Sequence, residues 1–226
     1  MKRPPRRAGR GPLCIPNSTQ LATAVESQEE VLRHSGIDPS AALLDGISAY
    51  IELLLRWNRK INLTAITDPH EIVVRNFAES FLATPWLRAP QGHLCDVGSG
   101  AGFPGLALKL ILPDWSITLM DSSAKKTAFL AEAVRTLHLK HVEVECARWQ
   151  ESKLPAASLD AITSRALGEY QMLAEWARTR LRPQGNLLLW IVAAEAERLQ
   201  ILPGWQWRIQ PVPASREQVL LIGQPN

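Results

Sequence analysis

Cysteine is too scarce and too scattered to frame this chain. Cys14, Cys95 and Cys146 are odd in number and form no C-x-x-C pair, which excludes a disulfide scaffold and a cysteine-held zinc centre. His34, His70, His93, His138 and His141 fall into no metal-ligand spacing, so no metal is expected. No apolar run approaches the roughly 20 residues that span a bilayer, and the N-terminal stretch lacks the apolar core of a secretory signal. A cytoplasmic protein without membrane contact is the expectation. The sequons Asn17-Ser18-Thr19 and Asn62-Leu63-Thr64 then carry no weight.

Acid is also missing, but only at one end. Lys2, Arg3, Arg6, Arg7 and Arg10 all precede the first acidic residue, Glu26. Leaving those five out turns 25 basic against 22 acidic residues into 20 against 22. The body of the protein is therefore no general polyanion binder, and any affinity for RNA must come from local patches or from the N-terminal stretch. Residues 1–20 are rich in Pro and Arg, which predicts a disordered tail.

What remains is ordinary globular sequence, 226 residues with 46% hydrophobic content, enough for one substantial domain and an appendage. Residues 21–90 read as a helical region. Asp38-Pro39 marks a helix start, followed by Leu43, Leu44, Ile47, Tyr50, Ile51, Leu54 and Leu55 at helical spacing. Residues 91–226 alternate strand and helix signals, as a covered parallel sheet requires. The strands expected are Leu94–Val97, Ser116–Met120, His141–Cys146, Leu159–Ser164, Asn186–Val192, around Gln206–Ile209, and Gln218–Ile222. Leu181-Arg182-Pro183-Gln184-Gly185 reads as a helix-ending turn before the fifth strand. The fold class predicted is α/β, a class I Rossmann-like, seven-stranded and mostly parallel sheet with an N-terminal helical extension.

The densest signal is Cys95-Asp96-Val97-Gly98-Ser99-Gly100-Ala101-Gly102-Phe103-Pro104-Gly105. Glycines at alternate positions permit a tight turn and close backbone approach to a ligand, and the helix-like run Leu106 to Leu112 follows. This is the strand, turn and helix that open a nucleotide-type α/β unit. The spacing Gly-x-Gly-x-Gly differs from the dinucleotide pattern Gly-x-Gly-x-x-Gly. Asp96 stands where a pyrophosphate would be repelled and where an ammonium or sulfonium would be attracted. S-adenosylmethionine carries both cations and no phosphate. Asp121 ends the next apolar run and suits the hydroxyls of a ribose. An exocyclic-amine methyltransferase usually shows an Asp/Asn-Pro-Pro-aromatic motif, and a pyrimidine-C5 enzyme a Pro-Cys nucleophile; this chain has neither. An acceptor atom with a ready lone pair remains, for which positioning does most of the catalysis.

Three segments are specific in combination: Arg56-Trp57-Asn58-Arg59-Lys60-Ile61-Asn62-Leu63-Thr64 with Asp68-Pro69, the loop Asp96 to Gly105, and Ser164-Arg165-Ala166. Together they resemble the glucose-inhibited division protein B family, the bacterial guanine-N7 methyltransferases of small-subunit (16S) ribosomal RNA, from about Val31 to Ile222. The resemblance implies S-adenosylmethionine as cofactor and small-subunit RNA, or an assembling small subunit, as partner, with the chain acting as a monomer. It implies cofactor contacts at Gly98 and Phe103, ribose at Asp121, adenine between Trp149 and Gln150, and Arg165 facing the cofactor and acceptor pocket, supported by Arg148. The expected cofactor set is Asp96, Gly98, Gly100, Gly102, Phe103, Asp121, Trp149, Gln150 and Arg165. Asn58 and Asn62 are either positioning residues or turn caps. Arg56, Arg59, Lys60 and Arg75 are candidate RNA contacts, or a solvated helix face. Two departures stand out. Arg75-Asn76 and Glu79-Ser80 replace the family's usual Arg-His and Asp-Ser, and Ile191-Val192 replaces a Lys-Gly at the end of the fifth strand, which puts substrate affinity in question. Competing expectations are an NAD(P)-dependent oxidoreductase and a non-catalytic ribosome-associated RNA-binding protein.

Overall fold

The apolar stripe at helical spacing forms α1 (Ala41–Asn58), which buries Leu43, Leu44, Ile47, Tyr50, Ile51, Leu53 and Leu54. Ser40 caps it, its side chain accepting from Leu43 N at 3.3 Å, so the helix begins just after the expected Asp38-Pro39. The computed structural model describes residues 28–213, 215 and 217–226; the basic stretch 1–20 and its expected disorder lie outside them. A short helical segment over 28–34 precedes α1. The next helix, α2, starts as α at Pro69–Ile72, widens to π over Val73–Ala78 and returns to α over Glu79–Phe81. Asp68 caps it by accepting from Glu71 N at 2.9 Å.

The strands are β1 (His93–Val97), β2 (Ser116–Asp121), β3 (Val142–Cys146), β4 (Leu159–Arg165), β5 (Leu181–Val192), β6 (Trp205–Pro211) and β7 (Gln218–Pro225). They form one seven-stranded sheet in the order β3-β2-β1-β4-β5-β7-β6. Pairing is parallel from β3 through β5, and β7 runs antiparallel to both β5 and β6. Helices α3 (Gly105–Ile111), α4 (Ala124–Thr136), α5 (Tyr170–Arg180) and α6 (Ala193–Gln200) complete the layers. The α/β fold class read from the sequence is the one observed, with each strand within a few residues of its expected place.

The fifth strand is the exception. β5 starts at Leu181 rather than Asn186, because Leu181 pairs with Leu159 and Asn186 with Ala161. Four residues on β5 thus face one on β4, and Arg182-Pro183-Gln184 bulge out to solvent while Gly185 stays buried. The turn chemistry was legible; that the flanking residues still pair with β4 is a tertiary fact.

Alternation along the strands divides the core in two. Leu94, Ile117, Leu119, Ala161, Leu188, Trp190, Leu220 and Ile222 face the layer of α1 to α4. Cys95, Val97, Met120, Ile162, Leu187, Leu189, Ile191 and Leu221 face α5 and α6. This period-two pattern is what a sheet covered on both sides demands. The N-terminal helices share the first cluster with the sheet, and Tyr50 is one of their fully buried anchors. Its ring stacks on Phe103 at 5.2 Å and meets Phe77 edge-on at 5.5 Å, while its hydroxyl donates to Ala101 O. Tyr50→Ala is expected to destabilise the protein by about 3–5 kcal/mol, the usual loss for a buried aromatic, read as a lower urea midpoint.

Candidate active site

β1 runs into a turn in which Gly98, Gly100 and Gly102 have φ of +71°, +56° and +85°, a region where only glycine sits without strain. The turn is tied to its own neighbours. Gly98 N and Ser99 N donate to Met120 O at 2.8 and 3.0 Å, and Gly102 N donates to Ser99 O at 2.6 Å. Gly100 N donates to Asp121 Oδ2 at 2.9 Å. A phosphate-binding loop keeps such N–H groups aimed at its ligand. Here four of them are already satisfied, so the turn has little to offer a pyrophosphate.

Beside the turn, at the C-terminal ends of β1 to β4, lies a cleft of about 360 Å³. This is the crevice that open α/β sheets reserve for ligands, since the strand order reverses between β1 and β4. Gly98, Asp121, Trp149 and Gln150 meet on its wall, with Arg148 beside them. Asp121 Oδ1 also accepts from Ser123 N at 2.8 Å, and Lys126 Nζ lies 3.9 Å from Oδ2. Trp149 follows β3 in a short 3₁₀ turn and packs edge-on against Trp176 at 5.8 Å. The far wall is the segment after β4, Ala166, Leu167 and Glu169. Glu169 accepts a 3.4 Å hydrogen bond from Gln150 Nε2. Sequence reasoning missed Lys126 and this far wall, although the rule that sites gather at strand C-termini pointed to the residues after Arg165.

The other expected cofactor residues are not on this wall, and each is tied to protein groups beside it. Asp96 is 0% exposed. Its carboxylate accepts from Thr163 Oγ1 at 2.7 Å and from Gly105 N at 3.1 Å, so it grips the start of α3 rather than facing a ligand. Gly105 is glycine for that reason, because a Cβ there would lie 2.7 Å from Asp96 Oδ2. Gly102 lets the Tyr50 hydroxyl approach, since a Cβ would collide with it. Phe103 is buried between Tyr50 and Phe77. Gly100 supplies the amide that holds Asp121. Arg165 points to α2, donating through Nη2 to Glu79 Oε2 at 2.6 Å and through Nη1 to Arg75 O at 2.9 Å.

Asn58 closes the loop after α1. Its Oδ1 accepts from Leu63 N and Thr64 N at 2.8 and 3.1 Å, and its Nδ2 donates to Thr64 O at 2.9 Å. Of the two readings open for it, the structure shows the turn cap; Asn62 is exposed on the loop so formed. Arg56, Arg59 and Lys60 are exposed at the end of α1. Arg75 stands apart from them, its Nε 3.3 Å from Glu79 Oε1. At the departures, Asn76 is buried, while Ile191 joins the core beneath α5 and α6 and Val192 is exposed. Among the described residues no group of three or more His, Cys, Asp or Glu is placed to hold a metal ion.

A family model described as rRNA small subunit methyltransferase G matches residues 44–201, more than half of the chain. The chain belongs to that family. A ribosomal RNA small subunit methyltransferase G from Halorhodospira halophila is 40% identical over 176 residues, spanning 78% of this chain and 79% of the relative. One from Bordetella avium is 33% identical over 196 residues, spanning 84% and 87%. A solved SAM-dependent methyltransferase from Aquifex aeolicus superposes with a TM-score of 0.59 at 18% identity, covering 76% of this chain and 98% of that one. The ribosomal protein L11 methylase of Lactobacillus delbrueckii gives 0.57 at 16% identity, covering 72% and 90%. These two likenesses establish the fold.

Burial raises the Asp96 carboxyl from 3.8 to about 6, against the lowering pull of the hydrogen bonds from Thr163, Ser99 and Gly105. A carboxyl whose folded value lies above its unfolded one holds its proton longer in the folded state, so its contribution to stability declines as pH rises from about 4 to 6 and then levels off. Asp96→Asn removes this titration. The stability of the native protein relative to that variant, from urea midpoints at pH 4.5 and 6.5, should therefore be greater at the lower pH.

Proposed function

We propose that this chain transfers a methyl group from S-adenosylmethionine to N7 of a guanine in small-subunit ribosomal RNA. Membership of the rRNA small subunit methyltransferase G family supports methyl transfer to that RNA. The observation in the fold that favours this cofactor over a dinucleotide is the glycine turn, whose amides at Gly98, Ser99, Gly100 and Gly102 are spent on protein acceptors. Asp121, on the cleft wall at the end of β2, would accept from ribose hydroxyls. Trp149 offers an aromatic edge and Gln150 an amide for an adenine. Asp121, Trp149 and Gln150 together support a nucleoside as the group bound there.

When bound, the cofactor supplies an electrophilic methyl on a cationic sulfur. The protein's task is to hold donor and acceptor in line. N7 of guanine carries an in-plane lone pair and no proton, so attack requires no general base. Arg56, Arg59 and Lys60 are exposed cations suited to phosphate contacts, whose strength falls steeply with salt.

The N7 assignment is tested with small-subunit RNA in which the target guanine is replaced by 7-deazaguanine. RNA binding should persist and methyl transfer should disappear; normal transfer to the deaza substrate would overturn the assignment. On native RNA, single-turnover rates should vary little between about pH 6 and 8.5, because no side-chain proton transfer is required.

Asp121→Ala should weaken S-adenosylmethionine binding by about 10- to 100-fold in calorimetry. That corresponds to the roughly 1.5–3 kcal/mol of hydrogen bonding to a charged group. Its circular dichroism spectrum should stay native.

A further inference from the structure

Three charged side chains from two distant parts of the chain meet where β4 ends. Glu79 on α2 is 2% exposed and gives one carboxylate oxygen to each of two arginines. Oε2 lies 2.6 Å from Arg165 Nη2, and Oε1 lies 3.3 Å from Arg75 Nε. Arg165 is itself only 16% exposed, and its Nη1 donates to the carbonyl of Arg75 within the π-turn of α2. The backbone of Glu79 is fixed from the sheet, because Trp190 Nε1 on β5 donates to Glu79 O at 2.9 Å. Carboxylate and guanidinium are thus held from both ends.

Such an arrangement is costly as a stabilising device. Burial pushes the Glu79 carboxyl up and the Arg165 guanidinium down from their ordinary values, each against the attraction of its partner. Apolar residues of similar volume would serve stability as well or better. π-turns, moreover, concentrate at functional sites. The position supplies the function. Arg165 is the last residue of β4, and the two residues after it, Ala166 and Leu167, form the far wall of the cleft. Thr163, two residues earlier and so on the same face of the strand, is the residue that holds Asp96 beneath the glycine turn. Two cations against one anion leave the cluster with an excess positive charge. Arg75, 40% exposed, meets Glu79 through Nε among the described residues, which leaves its terminal amino groups for an anion outside.

We propose that Glu79 is a positioning residue: it orients Arg165, with Arg75, to hold a phosphate of the acceptor RNA strand beside the cleft, where α2 meets the end of β4. The inference rests on the methyl-transfer reading above and adds a role for a side chain that the cofactor itself never meets.

The test is a double-mutant cycle with Glu79→Gln, Arg165→Gln and the double variant, methylating purified small ribosomal subunits at saturating S-adenosylmethionine. Glu79→Gln should lower kcat/KM for the subunits by at least about tenfold while leaving cofactor dissociation, read by calorimetry, within about threefold. Residues acting as one unit are non-additive, so the double variant should be no slower than Arg165→Gln alone. Multiplying losses, or a Glu79→Gln enzyme within twofold of the native one, would overturn the proposal. If Glu79→Gln does not fold, Glu79→Asp keeps the charge but withdraws it by one methylene. It should show a smaller loss and the same non-additivity with Arg165→Gln, and additive losses would overturn the proposal equally. A native protein that binds S-adenosylmethionine but methylates neither small subunits nor their free RNA would instead overturn the functional reading, whatever the variants do.

Discussion

The buried carboxylate of Asp96 is the constraint on which the geometry of the cleft depends. One oxygen accepts from Thr163 on β4 and the other from the first amide of α3. β1, β4 and the glycine turn are therefore locked at the point where the strand order reverses. A buried acceptor without these donors would cost several kcal/mol, so the geometry of the turn and the ionisable group beneath it are mutually required. Gly105 is part of the same lock, because any side chain at that position would displace the acid.

The N-terminal helices extend this lock. Tyr50 on α1 stacks on Phe103 of the turn, and its hydroxyl reaches Ala101 O. On the same face of the sheet Glu79 of α2 pairs with Arg165 at the end of β4. Tyr50 and Glu79 thus anchor the helical layer to the glycine turn and the sheet through polar contacts set into an apolar interface. Both lie at the C-terminal edge, where ligands bind, and the long apolar contacts of α1 account for the rest.

Fold and turn were legible in the sequence because their signals are local. Period-two and period-3.6 patterns, the alternating glycines and the Asp96 and Asp121 pair all fall within windows of about thirty residues. Gly98, Asp121, Trp149 and Gln150 follow strand ends, so the strand assignment carried them to the cleft wall. What failed to show depends on partners far along the chain. Phe103 looked like a ligand contact because its burial against Tyr50 spans more than fifty residues of sequence. Asp96 read as a charge facing a cationic ligand because nothing nearby announces Thr163. The Glu79 and Arg165 pair, 86 residues apart, has no periodic trace at all. Asn58 was ambiguous for the opposite reason: one amide side chain serves a turn or a substrate with the same atoms.

Asp121 has a consequence that reaches beyond its own hydrogen bonds. A carboxylate offers about four lone-pair directions, and the amides of Gly100 and Ser123 take one on each oxygen. Lys126 Nζ stands 3.9 Å from Oδ2, and under the proposed ribose contact the two directions that remain would form a template of fixed spacing for a pair of vicinal hydroxyls. Because the amides prevent the carboxylate from rotating, the template exists before anything binds. Under the proposed ribose contact, discrimination against a deoxyribose analogue would rest on the two backbone turns that hold the Asp121 carboxylate in place.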